Sequence, residues 1–379
     1  MRILHFYKTA RPDSMGGIEQ VIHLIATGTA RLGAEVDVLA LTRGPAPQEP
    51  QQYGLYRNHR VKQNFELAST GFSLLAFGAF SRLARQADLI HYHFPWPFMD
   101  VVHFATRPRK PAIVTYHSDI VQQKHLMRFY APLQRRFLAN VERIAATSPN
   151  YVATSPVLAR FSSKVIAIPI GIDRDAYPPA APDRLAYWRS RFGPRFFLFV
   201  GVLRYYKGLH ILIEACRDTS FPVVIAGAGP IEARLKEQAA RLGARNVHFA
   251  GHVSETDKVA LLTLCEAVLF PSHLRSEAFG VSLLEGAMLG KPMISSEIGT
   301  GTTFINVAGE TGLVIPPGDA NALRHAMRSL WEDPRAATAM GERAARRHQQ
   351  IFTSERMARA YFDLYQELCR DARQGHNLA

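Results

Sequence analysis

Short apolar runs alternate with helix-length segments along almost the whole chain, and that rhythm leaves few folds open. Residues 3–7, 36–42, 89–93, 112–116, 143–147 and 164–168 read as strands. Residues 17–32 read as a helix with apolar positions at Ile18, Val21, Ile22, Leu24 and Ile25. Strands that are apolar throughout and separated by helices belong in a parallel sheet covered on both faces. Residues 171–194 interrupt the rhythm, and Pro178-Pro179-Ala180-Ala181-Pro182 within them reads as a stiff, irregular linker. The rhythm restarts at 196–201 and continues through 223–226, 246–250, 267–270 and 292–295. Two doubly wound α/β domains are therefore expected, over 1–175 and 190–355. A helix over 354–370 follows, with Met357, Ala360, Tyr361, Leu364 and Leu368 on one face.

With 379 residues, 47% of them hydrophobic and 20% charged, the chain has the composition of a globular protein able to build two cores. No apolar run is long enough for a transmembrane helix, and Met1-Arg2-Ile3-Leu4-His5-Phe6-Tyr7 lacks the apolar core of a secretion signal, so a cytoplasmic protein is expected. Cys216, Cys265 and Cys369 are odd in number and widely spaced, which excludes a disulfide framework. The formal charge of +13 is uneven: 21 Lys and Arg face 12 Asp and Glu over residues 1–175, against 24 and 20 in the remainder. A basic first half predicts an acidic partner: nucleic acid, anionic lipid or a phosphorylated substrate.

The chemistry concentrates in Ser276-Glu277-Ala278-Phe279-Gly280-Val281-Ser282-Leu283-Leu284-Glu285. Glu277 ends a loop, and Glu285 lies in a helical run over 279–289 that stops at Gly290-Lys291-Pro292. A helix beginning near Phe279 or Gly280 presents unpaired N–H groups and its positive dipole end, which suits a phosphate. Glu285 sits among Leu283, Leu284, Ala287, Met288 and Leu289, so it is expected to be buried and to need partners. Two carboxylates flanking a phosphate site match the shape of a nucleotide sugar: sugar, diphosphate, ribose. The plainer alternative is a helix-start glutamate followed by a solvated helix charge.

Other motifs fall at the same ends of strands. Gly16-Gly17 follows the first strand and opens the first helix, where backbone can approach a phosphate or simply make a turn. Arg204 and Lys207, just before Gly208, bring two cations suited to a diphosphate leaving group, or are ordinary surface charges on a solvated loop. Ala226-Gly227-Ala228-Gly229-Pro230 starts a dinucleotide fingerprint that Glu232 breaks, so it reads as a tight strand-to-helix turn. His117 in Thr115-Tyr116-His117-Ser118-Asp119 ends a strand and is a candidate contact for a reacting sugar, or a satisfied strand-end histidine. His91 and His93, with His103 nearby, lack an acidic or cysteine partner at metal-ligand spacing, so no metal site is expected. The stretch 121–143 mixes apolar and aromatic residues with Lys124, Arg128, Arg135, Arg136 and Arg143. It suits either an anionic membrane face or an ordinary helix packed on the sheet. Pro132 is expected to divide it into two helices.

Taken together, these residues resemble glycosyltransferase family 4, retaining enzymes of the GT-B architecture: two facing Rossmann-like domains with a cleft between them. The likeness rests on Gly16-Gly17-Ile18-Glu19, Ile168-Pro169-Ile170-Gly171-Ile172-Asp173, Arg204 with Lys207-Gly208, Gly251-His252-Val253, the Glu277–Glu285 pair and Glu310-Thr311-Gly312-Leu313-Val314. It implies an acceptor-binding first domain, onto which a helix at 356–372 packs back, and a donor-binding second domain. It assigns catalytic roles to His117, Arg204, Lys207 and Glu277. Donor contacts fall to Gly16, Gly17, Val253 against the base, Phe279, Gly280 and Val281 at sugar and phosphate, and Glu285 at the ribose. His117 would face the transferred sugar near its C6 side. No metal is implied, since cations and N–H donors stand where other families place a DxD carboxylate pair. Within the family the chain resembles bacterial mannosyl- and rhamnosyltransferases of lipopolysaccharide O-antigen assembly. The donor expected is a GDP-sugar, the acceptor a polyprenyl-diphosphate-linked glycan, and the location the cytoplasmic face of the inner membrane. A sugar-nucleotide epimerase of the same fold would need further acid–base carboxylates. A nucleic-acid-binding protein would need a recognition motif, and none is evident, so no nucleic-acid partner is expected.

Overall fold

The computed structural model describes residues 1–14, 16–67, 70–120 and 124–376. The chain forms two compact units: Met1–Ile170 with the chain from Ser354 onward, and Gly171–Thr353.

Unit 1 contains β1 (Arg2–Phe6), β2 (Glu35–Thr42), β3 (Gln51–Tyr53), β4 (Tyr56–Lys62), β5 (Phe65–Leu67), β6 (Thr70–Phe72), β7 (Leu89–Phe94), β8 (Ala112–Tyr116), β9 (Arg143–Ala146) and β10 (Val165–Ala167). Eight of them form one sheet in the order β10-β9-β8-β7-β1-β2-β4-β3, parallel except for the β3–β4 hairpin at its edge. β5 and β6 make a separate antiparallel pair. The helices α1 (Gly17–Arg31), α2 (Leu75–Gln86), α3 (Pro97–Thr106), α4 (Lys124–Asn140) and α5 (Pro149–Thr154) join the strands. β7 is buried along its whole length, as a central strand covered on both faces must be. Its core neighbours are large aromatics: Phe6 lies 4.9 Å from Phe80 and 4.8 Å from Trp96, and Tyr92 lies 5.1 Å from Phe137.

Unit 2 contains β11 (Phe197–Val200), β12 (Val223–Ala226), β13 (Val247–Gly251), β14 (Ala267–Phe270), β15 (Met293–Ser296) and β16 (Gly312–Ile315), all parallel in the order β13-β12-β11-β14-β15-β16. Helices α6 (Pro182–Phe192), α7 (Leu209–Ala215), α8 (Glu232–Arg241), α9 (Glu255–Leu264), α10 (Val281–Met288), α11 (Thr302–Ile305), α12 (Ala320–Glu332) and α13 (Pro334–Ile351) accompany it. This is the Rossmann strand order, and it reverses direction between β11 and β14. In unit 1 the equivalent reversal lies between β1 and β7. The last helix, α14 (Ser354–His376), belongs to unit 1, where its Tyr361 and Tyr365 hydroxyls bond Thr115 and His91.

Two expectations need correction. Pro132 does not divide the 121–143 stretch: α4 runs continuously from Lys124 to Asn140 with the proline inside it. A proline removes one helical hydrogen bond, and the surrounding contacts outweigh that loss. Phe137 and Leu138 are fully buried, and the Tyr130 hydroxyl donates to Asp100 over 2.6 Å. Residues 121–123 of that stretch lie outside the described residues. The second correction concerns residues 51–72 and 312–315, where β3–β6 and β16 formed although no strand was anticipated.

Candidate active site

At the reversal point of a parallel sheet, loops leave adjacent strands in opposite directions and open a crevice beyond the strands' carboxyl ends. In unit 2 these loops are 201–208 after β11 and 271–280 after β14. They are joined closely. The His273 N–H donates to the Tyr206 carbonyl over 3.0 Å. Gly208 has φ +72°, and a Cβ there would lie 1.9 Å from the Pro271 carbonyl oxygen, so only glycine fits. This junction brings together two residues seventy positions apart: the Lys207 ammonium forms an ion pair with the Glu277 carboxylate. The ammonium also lies 4.9 Å from the centre of the Phe270 ring, and the Ser272 hydroxyl donates to the same carboxylate over 3.3 Å. Arg204 stands beside the pair in the chain, exposed and, among the described residues, in no salt bridge.

The second loop runs on into α10. Gly280, at φ +103°, turns the chain into the helix, and a side chain there would press on Leu283 and Phe270 at 3.1 Å. The first amides of α10, at Val281 and Ser282, have no intrahelical carbonyl to bond. Phe279 is buried, and the Gly301 N–H donates to the Ala278 carbonyl behind it. Glu285, one turn into the helix, is 4% exposed. Its carboxylate accepts from Lys258 Nζ on α9 over 2.7 Å and from the Tyr177 hydroxyl over 3.0 Å. Burial disfavours the Lys258 charge, but Glu285 and Glu255 together hold its pKa above the ordinary lysine range. Val253 lies half-buried in the turn between β13 and α9. The Gly227–Gly229 turn abuts the other loop: the Leu203 N–H donates to Ala228, and a Cβ at Gly229 would lie 2.4 Å from the Leu203 carbonyl oxygen.

The remaining predicted residues belong to unit 1. Gly16 precedes α1, and a Cβ there would lie 2.4 Å from a carboxylate oxygen of Glu19, which accepts from the Thr9 hydroxyl over 2.5 Å. The mouth of that helix therefore already holds a carboxylate, which a side chain at position 16 would have to displace; the neighbouring Gly17 has open space around it. His117 follows β8 and is buried. Its Nε2 bonds His93 Nδ1 at 3.1 Å, and His93 Nε2 bonds His5 Nδ1 at 3.0 Å. Burial pushes the His5 and His117 pKa values down to about 3 and lowers those of His91 and His93 well below the usual histidine range, so all four rings are neutral.

The grouping of His91 and His93 with His103 is not what forms. His103 bonds Tyr92 and Asn140, at 2.8 and 2.7 Å, and His5 takes its place in the cluster. Ring nitrogens of His5, His91 and His93 lie within 4.8 Å of one another. Both nitrogens of His91 and of His93 are already committed: His91 to Tyr365 and Thr115, both at 2.7 Å, and His93 to its histidine neighbours. A cation there would have to displace these bonds. The signal for the cluster was present in the sequence, since histidines at i and i+2 share one face of β7 and the parallel register sets His5 opposite His91. Lys258, Tyr177 and Ser272 were not anticipated at all.

Residues 188–347 match the family model described as glycosyl transferases group 1, and residues 15–176 match glycosyltransferase family 4. The chain is 57% identical over 354 residues to a D-rhamnosyltransferase, WbpZ, of Pseudomonas aeruginosa, covering 93% of each chain. It is 49% identical over 371 residues to the O-antigen chain mannosyltransferase C of Escherichia coli, covering 97% of this chain and 99% of that one. Among solved structures it resembles a sucrose-phosphate synthase from Thermosynechococcus elongatus, with a TM-score of 0.80 at 21% identity over 97% and 98% of the two chains.

Proposed function

This chain belongs to glycosyltransferase family 4 and is a retaining glycosyltransferase with the two Rossmann-like domains of the GT-B fold, and we propose that it transfers mannose or a 6-deoxyhexose such as rhamnose from a GDP-sugar to a polyprenyl-diphosphate-linked glycan in O-antigen assembly. The carrying observation is the Lys207–Glu277 pair at the reversal point of unit 2. An arriving diphosphate competes with Glu277 for the ammonium. Lys207, with Arg204 beside it, then neutralises the leaving nucleotide diphosphate, and Glu277 is released to accept from hydroxyls of the sugar. The amides around Phe279, Gly280 and Val281 meet sugar and phosphate, Glu285 accepts from the ribose, and Val253 lies against the base. The C1–O bond to phosphate breaks and a C1–O bond to the acceptor forms on the same face through an oxocarbenium-like state. The acceptor's proton passes to the departing phosphate oxygen. In this scheme Glu277 positions and balances charge and makes no covalent bond to the sugar. Cations and N–H groups do the work without a metal, and His117 faces the transferred sugar.

Unit 1 receives the acceptor and rests on the cytoplasmic face of an anionic membrane. Support comes from its apolar side chains exposed next to cations: Phe65, Leu67, Leu74 and Leu75 around the β5–β6 pair, and on α4 Phe129, which is 85% exposed, with the exposed Arg128, Arg135 and Arg136. Among the described residues no helix is long and apolar enough to cross a membrane.

Thermal-shift and turnover profiling across GDP-, UDP- and dTDP-sugars tests the donor. GDP-mannose or a GDP-6-deoxyhexose is expected to stabilise the protein and be consumed; turnover of UDP- or dTDP-sugars alone would overturn the GDP assignment. Sedimentation with anionic and neutral vesicles tests the membrane face, where salt-sensitive binding to the anionic set is expected, and its absence would count against that face.

A further inference from the structure

Three of the buried histidines form a hydrogen-bonded row. The His5–His93 ring centroids are 5.3 Å apart with planes 16° from parallel, and the His93–His117 centroids are 5.4 Å apart at 21°. These separations exceed the N···N distances of 3.0 and 3.1 Å by about two ring radii, so each pair of nitrogens lies on the line joining its rings and both hydrogen bonds are well aligned. At the far end His5 is completely buried, and its Nε2 has no hydrogen-bond partner among the described residues. At the near end His117 keeps a small exposure, and its Nδ1 is not among the sealed, unpaired atoms.

Counting protons fixes the state of the row. Three neutral imidazoles carry three N–H protons, and the row has four places for them: the two ends and the two bonds between rings. Each bond holds one proton, because two lone pairs or two N–H groups facing each other repel. The third proton sits either on His5 Nε2 or on His117 Nδ1. On His5 it would be a buried donor with no acceptor, which proteins avoid more strictly than an unpaired acceptor. It therefore sits on His117 Nδ1. All three rings are then the Nδ1–H tautomer, the less favoured form of a free histidine in water.

We propose that His93, backed by His5, is a positioning residue that locks His117 as a neutral Nδ1–H donor aimed at an oxygen of the transferred sugar or its acceptor. The row supplies no proton to the reaction, since its far end, His5 Nε2, is a buried lone pair with no donor among the described residues to replace one. Its contribution is a hydrogen bond of fixed direction. His91 lies outside the relay: it packs 4.3 Å from His93 with both nitrogens bonded to Tyr365 and Thr115, and so holds the row's flank. The proposal rests on the reading that His117 meets the transferred sugar, and its test separates the two.

Nitrogen NMR of the full chain labelled with 15N-histidine reads the tautomers directly, because protonated and bare ring nitrogens resonate far apart. His5, His93 and His117, assigned by single substitution, are expected to be neutral and Nδ1-protonated near pH 7. A His117 ring protonated at Nε2, or charged, would overturn the lock whatever its effect on activity. In kinetics, His93→Leu leaves His117 Nε2 without its donor and should lower kcat by about tenfold at unchanged donor KM. His93→Gln keeps an amide N–H for His117 and should recover turnover to within about threefold of the parent. Equal losses in the two variants would reduce His93 to a packing residue and overturn its positioning role. His117→Ala with undiminished turnover would remove the contact with sugar, even where the NMR pattern is as expected.

Discussion

The reversal points of the two sheets carry polarity in opposite ways. At the β11–β14 point of unit 2 the polar groups are ions held in pairs: Lys207 with Glu277 and, nearby, Lys258 with Glu285. At the β1–β7 point of unit 1, apart from the Glu19 carboxylate at the mouth of α1, they are uncharged imidazoles and hydroxyls bonded to one another, from His5 and His93 to Thr115, Tyr361 and Tyr365. A paired ion can change partners when an anion arrives without ever being left bare, so charge can be handled there at low cost. A neutral row offers direction without charge. In the proposed scheme the contrast corresponds to different work in the two units: neutralising a diphosphate in one, orienting uncharged oxygens in the other.

The sharpest way to break the comparison is to remove the cation that proposal depends on. Lys207→Ala should lower kcat about a thousandfold, equivalent to about 4 kcal/mol of transition-state stabilisation. It also leaves Glu277 with the Ser272 hydroxyl and no ammonium, so some loss of stability is expected. The double variant Lys207→Ala/Glu277→Gln separates these effects, because removing the second charge should restore the melting temperature and leave turnover low. Near-normal turnover in either variant would end the leaving-group role.

Acid provides the next largest test. A histidine whose pKa is lowered by burial binds no proton in the folded protein while its unfolded counterpart does, so its stabilising effect is complete above pH 6.5 and is lost as pH falls towards the folded value. With His5 and His117 held at about 3, each pH unit below 6.5 removes about 1.4 kcal/mol per ring, or about 3 kcal/mol for the two. His91 and His93 act in the same sense. Asp100, whose pKa burial raises, acts in the opposite sense. Unit 2 has a single comparably buried histidine, His348, among its described residues. Hydrogen exchange between pH 6.5 and 5.5 should therefore show the strands of unit 1 losing protection before those of unit 2, and His5→Phe should shrink the difference. Equal loss in both units would mean that the row takes up protons when folded.

What could be read from the chain and what could not divides along the range of the interaction. Strands 112–116 and 267–270 formed as anticipated, because a fully apolar strand declares itself through its own residues. The β5–β6 pair escaped because Phe65–Leu67 is exposed throughout and becomes a strand only through its partner. The same division runs through the candidate site. That Glu285 is buried followed from the apolar residues around it. That Lys258 and Tyr177 satisfy it did not, because they lie 27 and 108 positions away and meet it only in the folded sheet. Pro132 misled for a related reason: a local rule was overridden by Phe137, Leu138 and Tyr130 packing elsewhere.

The smallest expected effect falls on the second ion pair and asks whether all of unit 2's charge serves the reacting bond. In the proposed scheme Glu285 holds the ribose, away from the sugar's C1, so its contribution should be nearly the same in ground state and transition state. Glu285→Gln should then raise donor KM about tenfold, or about 1.4 kcal/mol, with kcat little changed. The fold should tolerate it. Tyr177 can still donate to the amide oxygen, and Lys258 keeps Glu255 at 2.9 Å. Lys258→Met beside an intact Glu285 gives the complementary case, a buried carboxylate with only the tyrosine hydroxyl, and should cost stability before it costs affinity. If Glu285→Gln instead lowers kcat at constant KM, the carboxylate acts at the reacting centre, and the division between charge for the leaving group and contacts for the ribose is drawn in the wrong place.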